Sequence, residues 1–323
     1  MLSLLSKPFE FLLFLRNELY LKGFFRRCKP EGIKVVSVGN LSVGGTGKTP
    51  TVLELAKILT SRGYKVTVLL RGYRRRTKGT LLVSDGKKTF LEVFDAGDEA
   101  YLYAKLLNGV PVAVSENRCK GAELLKRFSP DVLLLDDALQ HVRMGRDFDI
   151  VILTPRDLED RVLPFGRLRE PLSVLKLKGD YCLFSKTEKE PRLEELCLSF
   201  GKPFGYLKVK GYKLLNPRSG KSVSPSELKG LKVGAVSALG DNRLFISAVE
   251  KLLKPHGVEL KEIRTYNDHF DYRNFHPAGV DVWITTYKDY FKLEKRFGGE
   301  AFLVLERLIE LPQNLIERLF ELL

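Results

Sequence analysis

The residues with the clearest chemistry are Ser42-Val43-Gly44-Gly45-Thr46-Gly47-Lys48-Thr49. Glycines let successive backbone N–H groups turn inward around phosphate oxygens. The lysine supplies a cation for the β- and γ-phosphates, and the hydroxyl that follows is placed to ligate Mg²⁺ at a helix N-terminus. The segment departs from GxxxxGK[ST] at its first position, where Ser42 stands for glycine. Every residue from Ser42 to Thr49 is therefore a candidate nucleotide contact. The metal also needs a carboxylate from the end of a neighbouring strand. Val132-Leu133-Leu134-Leu135-Asp136-Asp137, an apolar run closing in two acids, offers one. Thr49 with one or both of Asp136 and Asp137 is the expected Mg²⁺ site.

Other candidates have weaker local signals. Asp98, in Phe94-Asp95-Ala96-Gly97-Asp98-Glu99, opens a helical stretch through Ala100, Leu102 and Leu106, so from local sequence it reads as a helix cap ahead of a general base. His269 stands in Asn267-Asp268-His269-Phe270, and His141 follows the two acids at 136–137. Basic residues gather at Arg26, Arg27 and Lys29 and again at Arg71, Arg74, Arg75, Arg76 and Lys78. A solvated surface or contact with a phosphate or an anionic head group explains such runs equally well.

These residues need a frame. Strands are expected at Ile33–Gly39, Lys65–Leu70, Pro111–Ser115, Val132–Asp136, Asp149–Leu153 and Tyr181–Phe184, alternating with helices. That alternation predicts an α/β fold, a mostly parallel sheet covered on both faces, with the phosphate loop at a strand's C-terminal edge. Alternating residues from Phe204 to Ser224 predict a β-hairpin linker between a domain at 1–203 and a smaller α/β domain at 225–323. The second domain has strands at Leu231–Ser237, Val258–Tyr266, Val280–Thr285 and Ala301–Leu305, and its last helix is a candidate to pack back on the first domain.

Composition bounds the rest. Lys and Arg number 54 against 40 Asp and Glu, a net charge of +14, with 44% hydrophobic and 29% charged residues. This excludes disorder and fibrous repeats. Cys28, Cys119, Cys182 and Cys197 form no CxxC pair, which points to isolated thiols in a reducing compartment. Few Met and Gln in a chain rich in Lys, Glu and Leu lean toward a thermophilic source. Residues 1–30 have neither the charge order of a cleavable signal nor an apolar run that could span a bilayer. On a helical wheel Leu5, Phe9, Leu12, Leu15, Leu19 and Tyr20 share a face opposite Ser3, Lys7, Glu10, Asn17, Glu18 and Lys22. With the basic residues that follow, this predicts a helix lying in an anionic lipid interface.

Several motifs in order carry a resemblance: Val38-Gly39-Asn40-Leu41-Ser42-Val43-Gly44-Gly45-Thr46-Gly47-Lys48-Thr49-Pro50, Arg71-Gly72-Tyr73, Gly97-Asp98-Glu99, Asp136-Asp137-Ala138-Leu139-Gln140-His141, Leu163-Pro164-Phe165-Gly166-Arg167-Leu168-Arg169-Glu170-Pro171, Asp268-His269-Phe270 and Thr286-Tyr287-Lys288-Asp289. Together they resemble the tetraacyldisaccharide 4′-kinases, which phosphorylate the lipid A precursor of Gram-negative bacteria. The chain departs from that pattern at Phe270, where a second His is usual, and at Tyr287, where Glu is commoner.

The resemblance implies ATP- and Mg²⁺-dependent transfer to the 4′-hydroxyl of an acylated disaccharide 1-phosphate by a peripheral enzyme at the cytoplasmic face of the inner membrane. No nucleic acid and no obligate protein partner are implied. It makes Asp98 the base, His269 its partner across the domain interface and Lys48 the catalytic cation, with Glu99 orienting the base or joining the metal site. Asn40, Arg71, Tyr73, Arg118, Gln140, His141, Arg169 and Glu170 become acceptor-side contacts. It also implies that His269 reaches Asp98 only when the domains close. Two rivals remain. A guanine switch would need an [NT]KxD-like reader, of which Ser185-Lys186-Thr187-Glu188 is a degenerate echo lacking the Asp. A nucleic-acid binder would need a motif that does not accompany the basic residues.

Overall fold

A computed structural model describes residues 2–323, with side chains from residue 7 onward. The first sheet comprises β1 (Lys34–Asn40), β2 (Val66–Leu70), β3 (Leu81–Asp85), β4 (Pro111–Val114), β5 (Val132–Asp136), β6 (Phe148–Leu153), β7 (Tyr181–Phe184) and β8 (Phe204–Tyr206). Its order is β3-β4-β2-β5-β1-β6-β7-β8, parallel throughout except where β3 meets β4. The second sheet comprises β9 (Lys208–Leu215), β10 (Ser222–Val223), β11 (Val233–Ser237), β12 (Leu260–Thr265), β13 (Val282–Thr285) and β14 (Phe302–Glu310), in the order β10-β9-β14-β13-β11-β12. Helices α1 (Leu2–Leu21), α2 (Lys48–Ser61), α3 (Val93–Ala96), α4 (Asp98–Leu106), α5 (Arg118–Leu125), α6 (Pro191–Ser199), α7 (Asn242–Leu253), α8 (Tyr287–Phe297) and α9 (Gln313–Leu322) pack around them.

The central strands are continuous buried runs because both faces of the first sheet are covered. β2 and β5 are buried along their whole length, the signature of a parallel sheet between helices. β3 was not expected. It is short, carries Ser84 and Asp85, and is antiparallel at the sheet's edge, where half-exposed residues blur the pattern.

The chain crosses from one sheet to the other without a free-standing linker, which corrects the hairpin expected over 204–224. Phe204 stacks on Phe184 with ring centroids 5.2 Å apart, and Tyr206 meets the same ring edge-on, so β8 completes the first sheet. β9 then runs along β14, and β10 folds back on β9 as an edge of the second sheet. One apolar cluster includes Val52 and Leu55 of α2, Tyr103 of α4, Phe291 of α8 and Trp283 of β13, so residues carried by both sheets share a core. α9 also packs toward the first sheet, with Phe320 against Tyr64 and under Arg62.

Helix α1 differs from the wheel reading at Asn17, which was placed on the polar face and is fully buried. Leu12, on the face expected to meet lipid, is 59% exposed, and Phe11 beside it is 63% exposed. The calls on Ser3 and Leu5 fall outside the described side chains. Cys28 and Cys119 are not isolated thiols; they are bridged, with Cα atoms 5.9 Å apart and 91 residues between them in sequence. A pairing over that separation leaves no local spacing to read. The inference of a reducing compartment therefore loses its support, and intracellular disulfides are known in hyperthermophile proteins. Cys182 and Cys197 are free and buried. No helix among the described residues is long and apolar enough to cross a membrane.

Candidate active site

β1 delivers the chain into the loop at 42–47, and α2 begins at Lys48. Gly47 sits at φ 102° with no side-chain cap on the helix, which leaves the first N–H groups of α2 open to an anion. Ser42 is not in the left-handed region. It bridges to Leu168 and is nearly buried, so this position needs no glycine. Gly39 does need its lack of a side chain, because a Cβ there would stand 2.6 Å from that of Leu139, where the 138–141 loop crosses the end of β1. Arg167 lies over the loop, its Nη2 donating to the Val43 carbonyl at 2.9 Å. Ser185 Oγ donates to the Thr46 carbonyl at 2.6 Å. A cavity of about 650 Å³ opens in front of Ser42–Thr46, between Arg156 and Lys186 on one side and Asp241–Leu244 on the other.

At the end of β5 the two acids are treated differently. Asp136 is buried; Tyr103 donates to its Oδ2 at 2.7 Å, while Oδ1 has no partner among the described residues. Burial and the Asp137 charge push its pKa up to about 7, against the pull of Lys48. Partial burial also works against ionisation of Asp137, but Lys48 at 3.7 Å and Arg169 at 2.7 Å overcome it and hold that carboxyl down to about 2. Asn40 binds both cations: its Oδ1 accepts from Lys48 Nζ at 3.0 Å and from Arg169 Nη2. Asn40 is fully buried and acts as a spacer for those side chains, which corrects its assignment as an acceptor contact.

Among the described residues, no group of three or more His, Cys, Asp or Glu gathers as a ready metal cage. A P-loop Mg²⁺ requires less, because phosphates and water supply most of its ligands. The unpartnered Oδ1 of Asp136 fits that requirement. Thr49 lies on the same side, its side chain near the Tyr103 hydroxyl that donates to Asp136. Glu99 pairs with Lys288 at 3.2 Å, and its charge also acts on Asp136.

Asp98 opens α4 and is 8% exposed. No side-chain cap accompanies this helix start, so the carboxylate is free of the capping role. His269 Nδ1 and Lys292 Nζ each stand 3.0 Å from Oδ2, and Lys288 Nζ stands 4.0 Å away. Burial alone would raise the Asp98 pKa, but the His269 bond and the two lysine charges pull it down to about 2. An ionised carboxylate accepts, so Nδ1 of His269 carries the hydrogen. His269 adopts φ 65°, a left-handed backbone that non-glycine residues hold only when neighbours enforce it. Contrary to the expectation of contact only after closure, His269 and Asp98 already touch. The interface is filled by Phe291 against Tyr101 at 5.3 Å, which holds α8 on α4.

The remaining candidates divide. Tyr73 is 55% exposed and meets the His269 ring edge-on at 5.2 Å, and Arg71 is exposed. Arg118 is buried, and its Nη1 donates to the Ser115 carbonyl at 2.5 Å. Burial lowers its pKa to about 10 against the charges of Asp137 and Asp136, so it stays a cation facing both acids. Burial and the neighbouring arginines push His141 down to about 4, leaving it neutral. Gln140 donates to the Asn40 carbonyl at 2.9 Å.

Glu170 is not at an acceptor surface. It is fully buried and bound by Lys178 at 2.7 Å, Arg16 at 2.8 Å and Asn17 at 2.9 Å, so it anchors α1. Arg75 of the basic cluster is taken by Glu116 at 2.6 Å. Sequence reasoning gave no role to Tyr103 or Lys292, and named Lys288 only within the motif Thr286-Tyr287-Lys288-Asp289. The two lysines are one turn apart on α8, a helix that the Thr286 side chain starts by accepting from the Asp289 N–H.

The chain is similar to known proteins along its whole length. A family model described as tetraacyldisaccharide-1-P 4′-kinase matches residues 1–323. A tetraacyldisaccharide 4′-kinase of Aquifex aeolicus is 41% identical over 98% of this chain and 97% of its own length. One from Halothermothrix orenii is 36% identical over 91% and 83%. A crystal structure of LpxK from Aquifex aeolicus, described as an "apo" form in complex with ATP, superposes with a TM-score of 0.82 at 39% identity, covering 99% of this chain and 96% of that one. The chain belongs to the tetraacyldisaccharide 4′-kinase family.

Proposed function

We propose that this kinase transfers the γ-phosphoryl group of ATP to the 4′-hydroxyl of a tetraacyl disaccharide 1-phosphate in lipid A biosynthesis, with the chemistry placed between the phosphate loop and the Asp98–His269 pair. The observation that carries the assignment is the meeting of Asp98 with His269 and Lys292 at 3.0 Å, from elements far apart in sequence. Both of those bonds fall on Oδ2, and Oδ1 has no hydrogen bond among the described residues. Oδ1 is the atom that accepts the acceptor's hydroxyl hydrogen. Asp98 is a weak base at a pKa of about 2. A loose, metaphosphate-like transition state asks for little deprotonation before attack, so Asp98 orients the hydroxyl and takes its proton late. His269 fixes the carboxylate through Nδ1, and its Nε2 stands 3.6 Å from Asp268.

On the nucleotide side, Gly44 to Thr49 present backbone N–H groups. Lys48 leaves Asp137 and Asn40 for the β- and γ-phosphates, while Arg169 keeps Asp137 ionised. Thr49 and Asp136 would hold Mg²⁺, whose charge would neutralise the phosphate oxygens. The enzyme sits at the cytoplasmic face of the inner membrane through α1 and the turn that follows. There Phe11, Leu12 and Phe24 are 63%, 59% and 72% exposed beside Arg26.

The test is transfer of labelled γ-phosphate from ATP to the tetraacyl disaccharide 1-phosphate in micelles, with and without Mg²⁺. Wild type should transfer, and Lys48→Ala and Asp98→Ala should collapse the rate, with His269→Ala intermediate. Nucleotide hydrolysis without transfer by a folded wild type would overturn the assignment.

A further inference from the structure

One buried ion pair has no part in the chemistry above. Lys178 is almost wholly buried and directs its ammonium hydrogens at three partners: Glu170 Oε2 at 2.7 Å, Asn17 Oδ1 at 3.0 Å and the Leu139 carbonyl at 2.8 Å. A single cation thereby joins α1, the carboxylate at 170 and the 138–141 loop that follows Asp136 and Asp137. The links of Glu170 run in two directions. Toward α1, its Oε1 accepts from Arg16 at 2.8 Å and from Asn17 Nδ2 at 2.9 Å, and that Nδ2 also donates to the Leu13 carbonyl within the helix at 2.7 Å. Toward the nucleotide, Gln140 Nε2 lies 3.4 Å from Oε2 and donates to the Asn40 carbonyl at 2.9 Å. Asn40 then holds Lys48 at 3.0 Å, and its Nδ2 donates to the Ser42 carbonyl at 2.8 Å. A contiguous set of polar contacts therefore leads from the C-terminal half of α1 to both ends of the phosphate loop.

An apolar pair of similar volume would anchor α1 at least as well as a buried ion pair, whose desolvation offsets most of its attraction. What charge adds is direction. An ammonium with three fixed acceptors sets the place of all three together, and a shift of α1 that opens the Asn17 and Arg16 contacts also releases the restraint on Leu139 and Gln140. The loop has little room to absorb that shift unaided. Leu139 is fully buried, and a Cβ at Gly39 would stand 2.6 Å from its own, so the loop rests on the backbone of β1 just where that strand delivers Asn40.

We propose that Lys178 and Glu170 are positioning residues for phosphoryl transfer, which make a formed phosphate loop conditional on α1 being seated, so that nucleotide is bound well only by a molecule whose lipid-facing helix is in place. This rests on the reading of Lys48 as the cation for the β- and γ-phosphates. The coupling is reciprocal, so bound nucleotide also holds α1 in its seat.

The experiment measures the Kd of a non-hydrolysable ATP analogue with Mg²⁺ in neutral detergent, without acceptor or lipid, and beside it kcat and the KM values for ATP and acceptor. The variants are Lys178→Met, Lys178→Arg, the double change Arg16→Ala with Asn17→Ala, and Phe320→Ala on α9 as a control for lost stability. Lys178→Met should weaken the analogue by about ten- to a hundredfold, and Lys178→Arg should recover part of that. The double variant leaves the Lys178–Glu170 pair in place and should weaken the analogue by about five- to tenfold, although neither altered residue touches the phosphate loop. Phe320→Ala should bind as wild type does. Amide exchange in the second half of α1 should slow when the analogue binds wild type and stay unchanged when it binds Lys178→Met. Should Lys178→Met fail to fold, the double variant decides. A double variant that binds the analogue as wild type does, with only the KM for acceptor raised, would make α1 an anchor alone and overturn the proposal. An equal loss in Phe320→Ala would overturn it too, by showing general destabilisation. The analogue is read without transfer, so wild type that binds it but phosphorylates no acceptor would overturn the kinase reading and leave the positioning result standing.

Discussion

Asp136 and Asp98 are both buried aspartates at the edges of secondary structure, yet they carry opposite electrostatic balances. Asp136 is short of positive charge: one oxygen has no partner, and its pKa is pushed up to about 7. Asp98 is over-supplied, with a histidine and two lysines holding it at about 2. A carboxylate that lacks a cation is prepared to receive one, and one already surrounded by cations is prepared to receive a hydroxyl. On the proposed reading the nucleotide side would be completed by what binds, whereas the acceptor side would be preorganised by the protein.

The largest expected effect tests the acceptor half. Asp98→Asn keeps the shape but loses the acceptor charge, and kcat should fall by about a hundred- to ten-thousandfold with the KM for ATP nearly unchanged. A loss of ATP affinity of similar size would mean that Asp98 serves the nucleotide and would break the contrast.

Next comes the pH dependence of stability without metal or nucleotide, in which the two aspartates should have opposite signs. A pKa raised in the folded state means the native protein binds the extra proton. The Asp136 contribution is therefore present at low pH and is lost as pH rises from about 4 to about 7, on the order of 4 kcal/mol. Asp98, depressed, contributes stability above its unfolded value near 4 that is lost as pH falls toward 2, by about 2 kcal/mol. Denaturant midpoints across pH for wild type, Asp136→Asn and Asp98→Asn should show the first slope flattened only by the former change and the second only by the latter.

Lys292→Met should then raise the Asp98 pKa and cost about 1–3 kcal/mol by removing a partner of a buried charge. A shift of the acid limb of the rate profile to higher pH would accompany it, and an unmoved limb would show that His269 alone sets the ionisation. The smallest effect is expected from Arg62→Ala, which removes a cation–π contact to Phe320 of α9 worth about 0.5–1 kcal/mol and should leave transfer rates untouched.

The same contrast explains what the sequence disclosed. The phosphate loop and β5 are local: Gly47-Lys48-Thr49 and the apolar run ending at Asp136 each display their role within ten residues or fewer. The edge strand β3 and the division of 204–224 between two sheets depend on neighbours that local patterning does not name. The pairing of His269 with Asp98 was available through the family resemblance and not from spacing. Lys292 lies 194 residues from Asp98 in sequence, so no local spacing could show that it binds that carboxylate, and Lys288 was visible only within a family motif. Asn17 was misplaced because a polar residue was assigned to the open face of a helix, and Glu170 because the resemblance set it among the acceptor contacts; the two satisfy each other in the interior.

Helix α1 is attached at two points. Near its end, Arg16 and Asn17 bind the buried Glu170, and just beyond it Cys28 is joined to the start of α5. Two separated fasteners remove rotation as well as translation. If α1 rests on a bilayer, the plane of the lipid is fixed relative to the sheet, and the height at which Asp98 rides above that plane becomes a constant of the molecule. A pull on the helix would then load the sheet at both points together and would not peel away residues 22–33.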